Sequence, residues 1–202
     1  MAEAIVRGLL ASGQAKAADM VVSDVSPGRR QHLEATYHVS ATSDNKESLR
    51  RGEVVVLAVK PDILSQVMAE MKGNLKSEQL ALSIVAGATM GSLTSGLGHD
   101  VVVRAMPNTP AQIGQAMTVW TATPQVGQTQ RDTAATILGA LGRQLYVADE
   151  KYIDMATAVS GSGPAYVFLF TEALVDAAVH IGMPRSMAEQ LVGQTLLGSA
   201  QM

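Results

Sequence analysis

The sequence contains no cysteine. That excludes disulfides and thiolate chemistry and suits a reducing compartment. Charge is also sparse: 16% of the 202 residues are Asp, Glu, Lys or Arg, and the net charge is −3. Nucleic acid and anionic membrane surfaces need clustered Lys and Arg, so neither is an expected partner. No basic n-region or small-residue cleavage site opens the chain, so no secretory signal is read there. Internal repeats and low-complexity linkers are absent as well. The longest apolar stretch, Ala165–Met183, is interrupted by Glu172, Asp176 and His180, each costly in a bilayer. It reads as a buried helix, and the whole as a soluble, cytoplasmic globular protein.

What is present is a core-forming composition, 47% apolar over 202 residues, enough for one large domain or two modest ones. Four apolar runs have strand length: VVSDV (21–25), VVVLAV (54–59), LALSIVAG (80–87) and VVVRAM (101–106). The second and fourth are apolar on both faces, as in strands covered on both sides. Helix-compatible segments separate them at 28–34, 62–71 and 92–97, and a further strand is expected at 117–123. Strand, helix, strand repeated in this way indicates a parallel sheet with right-handed crossovers. Beyond residue 125 the pattern changes to helices only, at 129–141, 150–159, from Pro164 onward and at 186–202, with Ser160 or Ser162 as caps ahead of Pro164. The fold class is therefore α/β, a Rossmann-type doubly wound parallel sheet over residues 1–149 followed by an all-helical domain over 150–202.

The opening "MAEAIVRGLLASG" places Ile5, Val6, Leu9 and Leu10 on one helical stripe and Gly13 as its stop. In a doubly wound fold such a helix follows a first strand and a Gly-rich turn that holds a pyrophosphate. Neither precedes it here, and the chain also stops inside its last helical pattern, so both ends read as truncated.

The segment "VSGSGPAYVF" followed by "EALVDAAVHIGMPRSMAEQLVGQTLLGSAQM", with "VVVLAVKPDIL", "SIVAGAT" and "VVRAMPNTPA" upstream in the same order, resembles the pyrroline-5-carboxylate reductases. The resemblance covers essentially the whole chain. It implies a Rossmann-type domain, a helical dimerisation domain, and hydride transfer from NAD(P)H to C5 of 1-pyrroline-5-carboxylate to give L-proline. Two family elements, the Gly-rich turn and a C-terminal S-P-G-G-T-T-like loop, lie outside these residues. The 202-residue chain alone is accordingly expected to bind dinucleotide poorly and to show no measurable reductase activity. The alternatives are a related imine or β-hydroxyacid reductase, or a non-catalytic fragment that kept the fold.

For the substrate, the resemblance assigns Ser160, Gly161, Ser162 and Gly163, where glycines allow close backbone approach to a carboxylate, with Asn108 in the wall of the site. For the cofactor, Ala58, Val59, Lys60 and Pro61 end one strand and Val85, Ala86 and Gly87 the next, the edge where open α/β sheets bind ligands. Lys60 is read as a solvated lysine. Asp24 would accept from a ribose 2′-hydroxyl and favour NADH, whereas Ser26, Arg29 and Arg30 would hold a 2′-phosphate and favour NADPH; the paired arginines tip the expectation to NADPH. Asn45 matches an adenosine-contacting position. No proton donor is assigned, since an imine that arrives protonated needs no dedicated acid. Glu172, Asp176 and His180 are read as a polar stripe at a subunit interface of a homo-oligomer, and no metal is expected.

Overall fold

The computed structural model describes all residues from Met1 to Met202. It divides into two compact units, Met1–Gly161 and Ser162–Met202. In the first, helix α1 (Ala2–Ala11) precedes strand β1 (Val21–Ser23), α2 (Pro27–Tyr37), β2 (Ser40–Thr42) and α3 (Asn45–Arg51). There follow β3 (Val54–Leu57), α4 (Leu64–Met71), β4 (Leu80–Ser83), α5 (Met90–Leu97), β5 (Val102–Met106), β6 (Ala116–Ala122), α6 (Gln128–Gly139), β7 (Gly142–Tyr146) and α7 (Lys151–Ala156).

The strands form two sheets. β1 and β2 pair in parallel, and a second sheet has the order β3-β4-β5-β6-β7. β3, β4 and β5 are parallel to one another, as the alternation of strand and helix patterns requires. The structure departs from the expectation in three respects. β6 runs antiparallel to β5, because only the 3-10 turn Thr109–Ile113 joins them and a parallel return needs a long crossover. β7, on the edge beside β6, lies in the region expected to be helical throughout. Its sequence GRQLY carries no apolar run and four of its five residues are exposed. Finally, β2 and α3 occupy a stretch to which the sequence pattern assigns no element; three-residue strands leave almost no period-2 signal.

α1 ends as expected, with Gly13 in the left-handed region at φ +68°. Its stripe is split between two clusters. Ile5 and Leu9 pack with Leu82, Val103 and Leu138 under the five-stranded sheet, while Val6 and Leu10 pack with Leu33, Val39 and Val22 around the β1–β2 pair. A third cluster joins Leu49, Leu57, Met68, Val85, Leu93 and Leu97 on the opposite face. Gly8 allows the close approach of α1 to the end of α6: a Cβ there would lie 2.5 Å from the Ala140 carbonyl oxygen. Gly142 opens β7 at φ +140°, a conformation L side chains rarely adopt.

The second unit is a pair of helices, α8 (Gly163–His180) and α9 (Arg185–Gln201), packed through Val175, Ala188 and Val192. The buried helix expected at Ala165–Met183 is not buried. Val175 alone is fully covered in α8, and Phe168 and Leu169 are 67% and 68% exposed. Two helices alone cannot cover a helix apolar on all sides.

Candidate active site

The parallel run β3-β4-β5 delivers three chain segments to one edge of the sheet: Ala58–Pro61, Val85–Gly87 and Met106–Pro110. After β3, Lys60 is extended and exposed, and Pro61 opens a 3-10 turn. After β4, the Val85 side chain is withdrawn into the core with Leu93 and Leu97, so only its backbone can face a ligand. Ala86 and Gly87 are exposed. Gly87, at φ +76°, has nothing within 4 Å of where a Cβ would stand.

A second group of residues gathers beyond β1 and β2. Asp24 accepts from the Ser26 N–H at 2.8 Å, so its carboxylate is engaged in the turn. The Ser26 hydroxyl caps α2 by accepting from the Arg29 N–H. Arg30 Nη1 donates to the Asp24 and Val25 carbonyls at 2.7 and 3.1 Å, which fixes its guanidinium at the strand end. Arg29 Nη2 donates to Glu3 Oε2 at 2.5 Å. Asn45 opens α3 and donates to Glu70 Oε2 at 2.9 Å. Each arginine has five N–H donors in a rigid fork, so these bonds leave others free to meet an anion.

Glu3 is a residue that sequence reasoning passed over. Besides Arg29, its carboxylate accepts from His32 Nε2 at 3.0 Å and from the Tyr37 hydroxyl at 2.8 Å. His32, then Arg29 and Tyr37, hold its pKa down at about 2, and the same contact pushes the Tyr37 phenol up. An acid in a first helical turn reads as a routine dipole partner, and its partners here are far away in the sequence.

The third group surrounds Ser160. α7 continues into a π-helical turn, Thr157–Gly161, of the kind that recurs at functional sites. The start of α7 is held by Arg104 of β5, which is 3% exposed and donates to Glu150 Oε1 at 2.5 Å and to Asp154 Oδ1 at 2.7 Å. Glu150 Oε1 also accepts from the Met90 N–H at the start of α5. The end of the turn is held by Asn108, whose Nδ2 donates to the Ser160 carbonyl at 2.9 Å while its Oδ1 accepts from the Met117 N–H at 3.0 Å. Arg104 was likewise passed over, although a lone arginine in VVVRAM signals a buried cation that needs acidic partners.

Neither serine caps a helix as expected. The Ser160 hydroxyl donates to the Ala156 carbonyl. Ser162, ahead of α8, makes no side-chain cap bond and is helical at φ −85°, ψ −16°, whereas a capping residue is extended. In the second unit Asp176 is paired with Arg185 at 2.7 Å, and Glu172 and His180 are exposed on the same helix. No group of three or more His, Asp or Glu side chains converges anywhere in the chain.

Parallel strands whose following loops gather at one carboxyl edge are the architecture in which open α/β sheets bind ligands such as dinucleotides. Residues 1–87 match the family model "NADP oxidoreductase coenzyme F420-dependent", and residues 150–202 match "Pyrroline-5-carboxylate reductase dimerisation". The chain is 40% identical over its whole length to the pyrroline-5-carboxylate reductase of Synechocystis sp., covering 75% of that protein. It is 40% identical to that of Escherichia coli, again over 100% of the chain and 75% of the relative. The structure of a pyrroline-5-carboxylate reductase from Coxiella burnetii superposes with a TM-score of 0.93 at 37% identity, over 100% of this chain and 75% of that one. The Plasmodium falciparum enzyme, solved with NADP bound, gives 0.88 at 33% identity, over 99% and 73%. Prephenate dehydrogenase from A. aeolicus, at 13% identity and a TM-score of 0.63, shares the fold alone. The chain belongs to the pyrroline-5-carboxylate reductase family.

Proposed function

We propose that this chain carries the cofactor-binding and imine-binding parts of an enzyme that reduces 1-pyrroline-5-carboxylate to L-proline, the last step of proline biosynthesis. NADPH supplies the hydride that is delivered to C5 of the ring. Arg29 and Arg30, with the Ser26 hydroxyl, meet the 2′-phosphate; Asn45 meets the adenosine. Ala58–Pro61 and Val85–Gly87 line the nicotinamide half, with Val85 acting through its backbone. Ser160, Gly161, Ser162 and Gly163 receive the ring and carboxylate of the substrate, and Asn108 stands behind that run. Identity of about 40% across the entire chain with reductases of this name carries the reading.

The helical stretch Lys151–His180 is long and apolar enough to cross a membrane by length and composition. Glu172, Asp176 and His180 would each be costly there, and we assign the exposed face of α8 to a second copy of the chain. A homo-oligomer in the cytoplasm is the form we propose.

The test replaces the aligned three quarters of the Escherichia coli relative with residues 1–202. Absorbance at the NADPH band and proline formation are followed with the imine as substrate. The expected result is stoichiometric loss of NADPH and gain of proline, faster than with NADH. A folded chimera that binds NADPH and leaves the imine unreduced would overturn the proposal.

A further inference from the structure

We infer that Asn108 is a positioning residue that sets the Ser160–Gly161 backbone by supplying a hydrogen-bond donor the helix itself lacks. Ser160 lies in the π-helical turn Thr157–Gly161, where its carbonyl would look to the N–H of residue 165, but Ala165 donates to the Ser162 carbonyl at 2.9 Å; an α-helical partner would be residue 164. Residue 164 is proline and has no N–H. The Ser160 carbonyl is half-buried, where an unpaired acceptor costs free energy. Asn108 Nδ2 donates to it at 2.9 Å.

The other end of the same amide is equally committed. The β5–β6 ladder ends at the pair Met106 and Val119. The Met117 N–H, beyond the ladder, is taken by Asn108 Oδ1 at 3.0 Å. One primary amide thus answers a carbonyl left without a donor at Pro164 and an N–H left beyond the end of the ladder, and both of its polar atoms are oriented by backbone. Four residues earlier on the same strand segment, Arg104 holds Glu150 and Asp154 at the other end of the helical segment. The helical segment from Glu150 to Gly161 is therefore held at its start by Arg104 and at its end by Asn108, and the Gly161 backbone lies against Met106: a Cβ on Gly161 would stand 3.2 Å from the Met106 Cε.

For function, this inference rests on the reading that Ser160–Gly163 receive a cyclic imino acid. Asn108 then acts on the substrate through Ser160 and Gly161, and the imine carboxylate is the group whose binding depends on it. Asn108→Asp keeps the acceptor for Met117 and replaces the donor by an oxygen that repels the Ser160 carbonyl. Pro164→Ala returns an N–H to position 164, a backbone donor four residues after Ser160 in the sequence.

Two measurements test this. In the 202-residue protein, Asn108→Asp is expected to speed amide hydrogen exchange across residues 157–161, and Asn108→Asp with Pro164→Ala to slow it again. Unchanged exchange in a folded Asn108→Asp protein would overturn the inference whether or not the enzyme reading holds. In the chimera described above, Asn108→Asp is expected to raise KM for the imine about tenfold, the scale of one lost hydrogen bond, and to leave KM for NADPH within about twofold. The added Pro164→Ala should recover much of that loss. Equal rises in both KM values, or no recovery with the second substitution, would mean a general loss of structure and would also overturn it. An unmutated chimera that does not reduce the imine would instead count against the function proposed for the chain.

Discussion

Glu3 shows how one carboxylate can gather three side chains that lie far from it in the sequence. It holds the guanidinium of Arg29 from one side while Ser26 accepts from the Arg29 backbone, so the residue proposed to meet a 2′-phosphate is fixed at both its ends. The low pKa of Glu3, about 2, gives a pH signature with a definite sign. A carboxylate depressed in the folded state stabilises the fold above its unfolded value, and that contribution fades as pH falls toward the folded value. Glu3→Gln should therefore melt below the parent at pH 7, and the gap should narrow steadily between about pH 4.5 and 3. Thermal melts at half-unit pH intervals would check it, and a gap independent of pH would refute the ionic account. Little of this was legible in advance. Arg29 and Arg30 stood out because two arginines follow a strand and a helix start, but Glu3, His32 and Tyr37 are brought together only by the packing of α1 on α2. The Ser160–Gly163 run stands out in the sequence by its glycines and flanking motif. That Ser160 and Gly161 close a π-helical turn does not, because no period in the sequence encodes an added residue in a turn.

At the scale of the element, the question is what holds α7 and its π-helical turn to the sheet. Arg104 is fully buried while Glu150 and Asp154 keep 33% and 68% of their side chains exposed. Removing the arginine leaves two acids that water can reach, so Arg104→Met should destabilise the first unit by about 3 kcal/mol, the low end for breaking a buried pair. Urea unfolding measures this, and a loss below about 1 kcal/mol would make the triad an ordinary surface network. The elements that the sequence exposed best were those with strand-length apolar runs, β3, β4 and β5, and the amphipathic helices between them. β7 escaped because an edge strand of mixed polarity has no run to detect, and the antiparallel turn of β6 escaped because strand direction is decided by connection length, not by the strand. The mistaken burial of α8 has the opposite cause: an all-apolar helix reads the same whether its own chain or another covers it.

For the whole molecule, that exposed helix predicts behaviour in solution. Tyr166, Val167, Phe168, Leu169 and Phe170 are each more than half exposed, and a contiguous apolar surface of this kind marks an interface. The residues 150–202 that carry it match a dimerisation model. If a second copy covers α8, folding is linked to association, and the melting temperature should rise with protein concentration. Leu169→Asp should abolish that rise and shift the sedimenting species to the monomer; a concentration-dependent melt in the variant would place the interface elsewhere. The sheet has a different consequence, one of timing. β5 and β6 are neighbours in sequence, joined by a single 3-10 turn, whereas the parallel pairs of the same sheet must each first close a helix-bearing crossover. Short loops lose less chain entropy on closing, so this hairpin is the natural first contact of the sheet. Asn108 lies in its connection, with Met117 already bound to one side of the amide, and is in place before the carbonyl it will hold has arrived.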